Sequence, residues 1–329
     1  MTAFRLGILG TGRMAAAMAT EVGNLVGHEI EVAAVGSRDG ARARQFAATH
    51  RIARAYASYA ALATDPGVDA IYVATPPSHH ERHVILCLES GKHVLCEKPF
   101  ALNVRQAERM VAVARESGRF LMEAMWTALL PAVVAVRELI GDGQLGRPQL
   151  VIAGGAFVPG SEPAYLLDPA LGGGALLDAG VYLVYLVQMF LGEPSRVLAA
   201  GALGVSGVDE QDVWVANCRD GSQALLYVSL RARRAPDLEI LFDRARLVLH
   251  APVFRPTRAT LIRPGQAEEI IDYPIAGSGY GYPLREMIRC IRSGERESPA
   301  LPLAQTLAVM STMDGIRRQI GLRYPDEQL

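Results

Sequence analysis

The sequence predicts an α/β protein with a doubly wound parallel sheet at its N-terminus, followed by an α+β domain with a large, mostly antiparallel open sheet. Strand and helix patterns alternate through the first 125 residues, and strand patterns then follow one another with only short turns between them. The chain has 329 residues, of which 50% are hydrophobic, so it can bury two cores. We therefore expect a first domain over 1–125 and a second over 126–329.

The first domain follows from five apolar runs that end in glycine, proline or polar residues. These runs are "FRLGIL", "EIEVAAVGS", "DAIYVATPP", "KHVLCEKP" and "RFLMEAMW". Helical patterns such as "RMAAAMATEV", "ARARQFAATH", "HERHVILCLESG" and "VRQAERMVAVARESG" lie between them. Strands that are separated by about ten to fifteen helical residues form βαβ units, which make parallel sheets.

The second domain begins with an apolar helix over 175–191 and continues with "DVWVANC", "QALLYVSL", "EILFD", "RLVLH" and "ATLIRP". Short turns between these runs predict an antiparallel meander. Several runs are apolar at both odd and even positions, so both faces of the sheet should be covered. We expect helices on one face and a second subunit on the other, hence a homodimer.

Composition and charge exclude several classes of partner. The formal net charge of −1 provides no field for a nucleic acid or an acidic membrane. The four cysteines lack metal-ligand spacing, so the sequence predicts no metal site, no disulfide framework and a reducing, cytoplasmic location. The N-terminus does not resemble a signal peptide, and we expect no apolar run near the ~18 residues of a membrane helix.

The segment "GILGTGRMA" predicts a dinucleotide site. Gly10 permits a tight turn, Gly12 allows a pyrophosphate to approach the backbone, and Ala15 allows close packing of helix and strand. The phosphates would lie at the N-terminus of the helix, where free N–H groups and the dipole favour an anion. The expected cofactor contacts therefore include the rest of the turn, which is Thr11, Arg13 and Met14.

The end of the second strand indicates which dinucleotide binds. An NAD enzyme usually has an acid here that binds the ribose 2′-hydroxyl. This chain has Ser37 and Arg38, and Asp39 comes one position late. A hydroxyl and a guanidinium suit a 2′-phosphate, so we predict NADP rather than NAD.

Four segments resemble the glucose–fructose oxidoreductase/inositol dehydrogenase (Gfo/Idh/MocA) family in order and spacing: "GILGTGRMA", "ATPPSHH", "GKHVLCEKPF" and "GGGALLDAGVYLV". "FLMEAMWTALLPA" and "ESPALPLAQTL" resemble its dimeric dihydrodiol dehydrogenase and D-xylose 1-dehydrogenase branch. That branch oxidises trans-dihydrodiols and aldoses with NADP. The resemblance implies an N-terminal Rossmann domain, and a C-terminal domain whose open sheet forms subunit contacts.

The resemblance also implies roles for individual residues. It places the cofactor near Thr75, Pro76, His80, Glu97 and Lys98. It implies that Pro99 of the E-K-P tripeptide is often cis and that Lys98 faces nicotinamide and substrate. The aromatic pocket walls that it implies are Trp126, Phe157 and Phe254.

The helix over 175–191 carries a polar pair on an apolar background. Asp178 and Tyr182 are spaced i,i+4 and so share a helix face. A carboxylate on a buried helix needs a partner, because burying it unpaired is costly. The triple glycine before the helix allows the backbone to come close to another group. The resemblance implies that Tyr182 is the general acid/base, and we include Asp178 among the catalytic residues.

Lys98 is one of two lysines in a chain whose other long cations are all arginine. Oxidation of an alcohol requires its proton to leave, and a free tyrosine with a pKa near ~10 is a poor base at neutral pH. A neighbouring ammonium favours the phenolate. Lysine can also lose a proton, whereas arginine is a planar fork that stays charged. The predicted reaction is hydride transfer between nicotinamide and a secondary alcohol or hemiacetal carbon of a sugar or trans-dihydrodiol.

Three other functions remain open on the sequence. Sugar-nucleotide ketoreductases of the same family also combine an E-K-P lysine with a tyrosine at the position of Tyr182. Other members are NAD-dependent glycosidases or non-catalytic regulators that bind a dinucleotide. Ala128 and Pro283 depart from the dihydrodiol branch near the expected substrate side, so the substrate remains open.

Overall fold

The computed structural model describes residues 3–24, 29–160, 164–325 and 327. The chain forms two compact units. The first combines Met1–Trp126 with Ala276–Thr306, and the second combines Thr127–Ile275 with Leu307–Leu329. These units differ from the expected division into 1–125 and 126–329 in that residues 276–306 group with the first unit.

Strands and helices of the described residues begin and end as follows. The strands are β1 (Phe4–Leu9), β2 (Ile30–Gly36), β3 (Arg54–Tyr56), β4 (Ala70–Val73), β5 (His93–Cys96), β6 (Leu121–Glu123), β7 (Pro148–Ala156), β8 (Pro194–Leu203), β9 (Asp209–Cys218), β10 (Gln223–Ser229), β11 (Arg234–Phe242), β12 (Arg246–Leu249), β13 (Arg258–Ile262) and β14 (Glu269–Asp272). The α-helices are α1 (Arg13–Asn24), α2 (Gly40–His50), α3 (Tyr59–Ala63), α4 (His80–Glu89), α5 (Val104–Ser117), α6 (Pro131–Gly141), α7 (Val181–Leu191), α8 (Gly281–Arg292) and α9 (Leu303–Ile320).

The first unit contains a parallel sheet. Among the described residues its six strands lie in the order β3-β2-β1-β4-β5-β6, and each neighbouring pair is parallel. The strands are short apolar runs that are buried on both faces, as a sheet covered by helices requires. The order reverses at β1, so ligands are expected at the carboxyl ends of β1 and β4.

The returning segment is attached to α1 through a buried carboxylate. Glu21 is 4% exposed, and its side chain accepts hydrogen bonds from the Ser278 hydroxyl at 2.6 Å and from the Gly281 N–H at 3.1 Å. The Leu121 N–H of β6 donates to the carbonyl oxygen of Arg296 at 3.1 Å. These contacts explain why residues 276–306 belong to the first unit. They are long-range in sequence, so periodicity did not reveal them.

The second unit contains the large open sheet, whose described strands lie in the order β14-β13-β12-β11-β7-β10-β9-β8. The prediction of a mostly antiparallel sheet is confirmed, but the sheet is not a simple meander. Strand β7 lies between β11 and β10, and it pairs with β10 in parallel. Because β7 precedes α7 and β10 follows it, the chain makes the crossover that a parallel pair requires.

Helix α7 packs against β7 and β10 and belongs to the core of the second unit. The stretch Pro169–Leu191 is long and apolar enough to cross a membrane, so the expectation that no such run exists was wrong. However, 78% of its most apolar window is buried inside the protein. It is therefore a core helix, of the kind that is hydrophobic on all sides.

The face of the large sheet that is opposite α7 carries apolar side chains. Leu198 on β8, Val213 on β9 and Leu225 on β10 are 49%, 48% and 48% exposed. Val215 lies directly between Leu198 and Leu225 in the register. These four residues form a contiguous apolar surface, which we call the outer-face patch.

Candidate active site

The glycine turn follows β1 and opens α1, as predicted. Gly10 has φ +116°, and a Cβ there would lie 2.8 Å from the carbonyl oxygen of Ala74, so only glycine fits. A Cβ on Gly12 would meet nothing within 4 Å. The protein itself therefore does not require glycine at position 12, whereas a phosphate against the backbone would. Ala15 is completely buried, and Thr11, Arg13 and Met14 surround the N-terminus of α1.

The residues after β2 lie where the resemblance and the fold place the ribose of a dinucleotide. Asp39 caps α2, since its carboxylate accepts from the N–H groups of Ala41 at 2.8 Å and Arg42 at 3.2 Å. The acid nearest to the expected ribose position is thus engaged with the helix. Ser37 is buried, and its hydroxyl accepts from the Asp39 N–H. Arg38 is exposed beside this turn.

The turn after β4 is held by two histidines of α4. The Thr75 hydroxyl lies 3.0 Å from Nδ1 of His83. His80 is completely buried, with Nε2 2.7 Å from the carbonyl oxygen of Thr75 and Nδ1 2.9 Å from that of Pro99. Burial lowers the pKa of His80 to about 4, so its ring is neutral at pH 7. His80 thus lies between the turns after β4 and β5, and its neutral ring donates to one of these two carbonyl oxygens. Pro76 follows Thr75 and directly precedes the short helical turn that leads into α4.

The E-K-P turn follows β5, and its Lys98–Pro99 bond is cis, the form that the resemblance implied. The Glu97 side chain is 6% exposed and points into the protein. Its carboxylate accepts from the Tyr72 hydroxyl and, at 3.1 Å, from the Lys98 N–H. Glu97 thus holds the backbone of Lys98, whose own side chain is partly exposed.

A second buried acid, Glu123, lies behind the same turn at the end of β6. Its oxygens accept from the Phe100 N–H at 3.1 Å and from the Thr306 hydroxyl at 3.0 Å. The pKa of Glu123 is raised to about 7, because burial and, to a lesser extent, the charge of Glu97 outweigh both hydrogen bonds and Lys98, which lower it. Sequence reasoning missed Glu123, but an acid in the apolar strand "RFLMEAMW" is a signal that could have found it.

Trp126, the first predicted pocket aromatic, ends the N-terminal segment of the first unit. It is 5% exposed, and its ring packs on that of Tyr280 with the centroids 4.7 Å apart. Tyr280 comes from the returning segment, so no local pattern could have associated it with Trp126. It is an additional aromatic candidate for the first unit.

The catalytic-helix candidates lie in the second unit. Residues Leu176–Gly180 form a π-helical turn, which continues into α7. Asp178 lies on this turn and Tyr182 is 8% exposed on α7. The Tyr165 hydroxyl donates to Oδ1 of Asp178 at 2.9 Å, and this partner had no signal in the sequence. π-Helical turns are rare and occur often at functional sites.

The two remaining aromatic candidates belong to the second unit as well. The ring of Phe254 is 39% exposed and lies 5.9 Å from the ring of Tyr182. Its carbonyl oxygen accepts from the Thr127 hydroxyl at 2.6 Å, which fixes the loop beside Tyr182. Phe157 follows β7, and its N–H donates to the carbonyl oxygen of Ser229. The structure thus brings Phe254 next to Tyr182.

Within the residues that the structure describes, no three His, Cys, Asp or Glu side chains cluster as metal ligands. The four cysteines are buried and do not form disulfides: Cys87, Cys96, Cys218 and Cys290.

The fold and the glycine turn define a dinucleotide-binding oxidoreductase. Residues 4–125 match the oxidoreductase family with an NAD-binding Rossmann fold, and residues 133–248 match the Gfo/Idh/MocA C-terminal domain. The chain therefore belongs to the Gfo/Idh/MocA family of oxidoreductases. This confirms the resemblance and the predicted classification as an NAD(P)-dependent enzyme that acts on CH–OH groups.

The relatives include trans-1,2-dihydrobenzene-1,2-diol dehydrogenases of mammals. The chain is 33% identical to the enzyme of Bos taurus over 337 residues, with 99% of each chain covered. It is 32% identical to that of Homo sapiens over 338 residues, again with 99% of each chain covered.

Solved structures include a 3-ketoreductase from Actinomadura kijaniata in complex with NADP and TDP-benzene. That enzyme is 27% identical, with a TM-score of 0.87 and coverage of 97% of this chain and 98% of the other. Structures of its lysine-to-alanine and tyrosine-to-phenylalanine mutants match with TM-scores of 0.84 and 0.86. An aldose–aldose oxidoreductase from Caulobacter crescentus has the same fold at 23% identity and a TM-score of 0.87, with 96% and 97% coverage.

Glu123 gives a first prediction, which concerns stability. Its pKa in the folded protein lies above the ordinary value of 4.5, so the folded state binds more protons than the unfolded state between about pH 4.5 and about pH 7. The free energy of unfolding should therefore fall as pH rises through this window, by at most about 1.4 kcal/mol for each increase of one in pH. Glu123→Gln should remove the contribution of Glu123 and so make the slope less negative in this window, as measured by urea unfolding at several pH values.

Glu116→Gln is the control, because Glu116 is exposed on α5 and should leave the slope unchanged. An unchanged slope in Glu123→Gln would contradict the raised pKa.

Proposed function

We propose that this chain is an NADP-dependent dehydrogenase of sugars or trans-dihydrodiols, in which Tyr182 is the general acid/base and Lys98 assists it. The observation that carries the proposal is the similarity to dihydrodiol dehydrogenases along 99% of the chain. The chain also has the E-K-P turn, and it has Tyr182 on α7 directly after the π-helical turn. The reaction would transfer a hydride between nicotinamide and a secondary alcohol or hemiacetal carbon.

Several contacts of the described residues support NADP as the cofactor. Gly10 makes the tight turn, and Gly12 leaves the backbone open at the N-terminus of α1, where a pyrophosphate is favoured. Asp39 is engaged as a helix cap, and Arg38 is exposed beside Ser37. The ketoreductase of known structure binds NADP. When bound, the nicotinamide accepts or returns the hydride.

The residues of this chain would move the proton. Tyr182 would take the proton of the alcohol during oxidation and return it during reduction. Lys98 would lower the pKa of that tyrosine, because an ammonium favours the phenolate. Asp178, fixed by the Tyr165 hydroxyl, would position the pair.

The mutated lysine and tyrosine of the Actinomadura kijaniata enzyme support these assignments. They are separated along their chain by the same number of residues as Lys98 and Tyr182. The exchanges made in that enzyme, Lys to Ala and Tyr to Phe, remove an ammonium and a hydroxyl, the two groups that the proposal requires.

Reduction of a sugar nucleotide is the second candidate function. The ketoreductase that binds TDP-benzene is similar over 97% of this chain, and it favours this alternative. A screen that follows NADP over aldoses, trans-dihydrodiols and 3-keto sugar nucleotides distinguishes the two. Turnover of the sugar nucleotides alone would replace the dehydrogenase proposal by the ketoreductase.

The outer-face patch supports a homodimer. Leu198, Val213 and Leu225 expose about half of their apolar side chains on adjacent strands of a sheet. A contiguous apolar surface of this kind is typical of a subunit interface. Face-to-face packing of two such sheets about a twofold axis would cover both patches with the same residues.

The chemical step provides the main test. Tyr182→Phe removes only a hydroxyl, so the fold and NADP binding should persist while kcat falls by a factor of about 10² to 10⁴. Lys98→Arg keeps the charge but loses the compact, deprotonatable amine. We expect a large loss of kcat, and a pH profile of oxidation that is shifted to higher pH. The measurements are steady-state kinetics and the Kd for NADP.

Two matched controls are available within the chain. Tyr185→Phe removes a hydroxyl from the same helix and should retain turnover. Lys92→Arg changes the only other lysine, whose Nζ donates to the carbonyl oxygens of Asp65 and Val68, so it should reduce stability without shifting the pH profile. Near-normal turnover in Tyr182→Phe would overturn the assignment.

Cofactor preference is tested at Arg38. Arg38→Ala should weaken NADP binding by about tenfold or more, because a charge-assisted hydrogen bond contributes roughly 1.5–3 kcal/mol. NAD binding should change little, since NAD has no 2′-phosphate. Arg115→Ala, on the exposed side of α5, is the control. Equal losses for both dinucleotides would contradict the role of Arg38, and fluorescence titration measures both.

Assembly is tested by light scattering at micromolar protein. The wild-type chain should have the mass of a dimer, and Leu225→Arg should convert it to a monomer, because a buried guanidinium without a partner is costly. Ala48→Arg places the same charge on an exposed position of α2 and should remain dimeric. A monomeric wild-type chain would contradict the homodimer.

A further inference from the structure

Two aspartates of β9, Asp209 and Asp212, face the core of the second unit from the same side. Alternation along a strand would put positions three apart on opposite faces. A bulge prevents this, since Ala202 of β8 pairs with Gln211 and the next residue, Leu203, pairs with Asp209. Glu210 is the extra residue, and both aspartates are 0% exposed. β-Bulges redirect side chains in this way and occur often next to active sites.

The two carboxyl groups are within hydrogen-bonding reach of each other. Three of their four oxygens have no donor among the described residues, namely Oδ1 of Asp209 and both oxygens of Asp212. Two ionised carboxylates cannot donate to each other, and burying both would be very costly. One shared proton removes a charge and creates the missing hydrogen bond.

Glycines make room for both carboxyl groups. A Cβ on Gly174 would lie 2.0 Å from Oδ1 of Asp209, and a Cβ on Gly201 would lie 2.2 Å from Oδ1 of Asp212. Gly174 also has φ +120°, so two requirements select glycine there. The group that the triple glycine was expected to approach is therefore, for Gly174, the carboxyl of Asp209.

Asp209 holds the turn that precedes the π-helical residues. Its Oδ2 accepts from the Leu176 N–H at 2.6 Å, at the first residue of the π-helical turn. The Tyr324 hydroxyl donates to the carbonyl oxygen of Gly173 at 2.6 Å and fixes the same loop from the C-terminal segment. The Asp178 N–H lies 3.3 Å from the carbonyl oxygen of Gly174. Asp209 therefore contacts Gly174 and Leu176, and Gly174 in turn accepts a hydrogen bond from the backbone of Asp178.

We infer that Asp209 and Asp212 form a proton-sharing pair that positions the π-helical turn carrying Asp178 and, one helical turn later, Tyr182. Asp212 holds the proton and donates it to Asp209, which accepts from the Leu176 N–H with its other oxygen. The pair touches neither substrate nor cofactor in this scheme, so both are positioning residues. Their effect on catalysis rests on the proposed function of Tyr182, whereas the proton sharing does not.

The charges around the pair are consistent with one retained proton. Burial, together with the neighbouring Asp209, raises the pKa of Asp212 to about 9. Burial also raises the pKa of Asp209, although Arg317 opposes this. Arg317 is itself engaged by Glu327 and by Asp314. Tyr324 stays neutral, because burial and Asp209 raise its pKa well above the usual value.

The sign of the pH effect follows from this assignment. Between the ordinary pKa of 3.8 and about 9, the folded protein keeps a proton that the unfolded chain releases. Stability from the pair is complete below about pH 4 and is lost as pH rises toward 9. Asp212→Asn replaces the shared proton by an amide N–H of the same shape and does not titrate.

The first experiment measures Tm from pH 5 to pH 9 for wild type and Asp212→Asn. The Tm of the variant, relative to wild type, should increase steadily with pH. Asp237→Asn, a surface aspartate of β11 beside Arg234, should show a constant difference. A constant difference for Asp212→Asn as well would overturn the proton-sharing pair.

Infrared spectroscopy of the wild-type protein provides a measurement that does not depend on a variant. At pH 8 a protonated carboxyl band should remain, and it should disappear above about pH 9. The spectrum is recorded at pH 8 because Glu123, with a pKa of about 7, is mostly ionised at that pH. A spectrum at pH 8 without a protonated carboxyl would overturn the inference.

The positioning role is tested by Asp209→Ala and Asp209→Asn. The alanine variant loses the acceptor of the Leu176 N–H, so hydrogen exchange of that amide should accelerate and kcat should fall by about tenfold or more, while the Kd for NADP is unchanged. The asparagine variant keeps an acceptor and should recover most of both properties. Retained protection and kcat in Asp209→Ala would overturn the positioning role.

Failure of the proposed function is distinguishable from failure of this inference. If Tyr182→Phe keeps its turnover while Asp209→Ala loses protection at Leu176, Tyr182 is not the base but the pair still positions the turn. If Tyr182→Phe loses turnover while Asp209→Ala keeps both protection and kcat, the proposed function stands and the inference fails.

Discussion

A carboxylate that leaves water needs hydrogen-bond donors, and the turns around the candidate site depend on this requirement. Glu21 accepts from the start of α8, Glu97 from the backbone of Lys98, Glu123 from the backbone of Phe100, and Asp209 from the backbone of Leu176. Each acid is buried, and in each case at least one donor is a backbone N–H at a turn or a helix start. Glu97, Glu123 and Asp209 thereby fix the backbone at or near the residues that we propose to be catalytic, and Glu21 fixes the returning segment.

The two lysines of an arginine-rich chain illustrate how the protein uses a compact cation. Lys92 is 9% exposed, and its ammonium donates to the carbonyl oxygens of Asp65 and Val68 at the loop before β4. A planar guanidinium would need more space and a different arrangement of acceptors. Lys98 is held through its backbone by Glu97 and by the turn that His80 connects to Thr75. Geometry thus explains lysine at position 92, and the proposed chemistry explains it at position 98.

The proposed oxidation and the stability of the fold respond to pH in opposite directions. Alcohol oxidation by a tyrosine base improves as pH rises, because the phenolate becomes more populated. Glu123 and Asp212 hold protons in the folded state, and the stability that these protons provide decreases as pH rises. Both acids lie next to turns that carry candidate catalytic residues. A working pH for oxidation would therefore balance the base strength of Tyr182 against the order of the turns that hold it and Lys98.

The sequence by itself determined the two sheets, the glycine turn, the cofactor edge of the first sheet and the family, because strand and helix periodicity and short motifs are local properties of the chain. Only the tertiary structure decided that β7 pairs in parallel with β10, that residues 276–306 return to the first unit, and that Tyr165 is a partner of Asp178. It also revealed Glu123 behind the E-K-P turn and the bulge that brings Asp209 and Asp212 together. These features depend on contacts between residues that are distant in sequence, or on one extra residue in a strand, and neither leaves a periodic pattern.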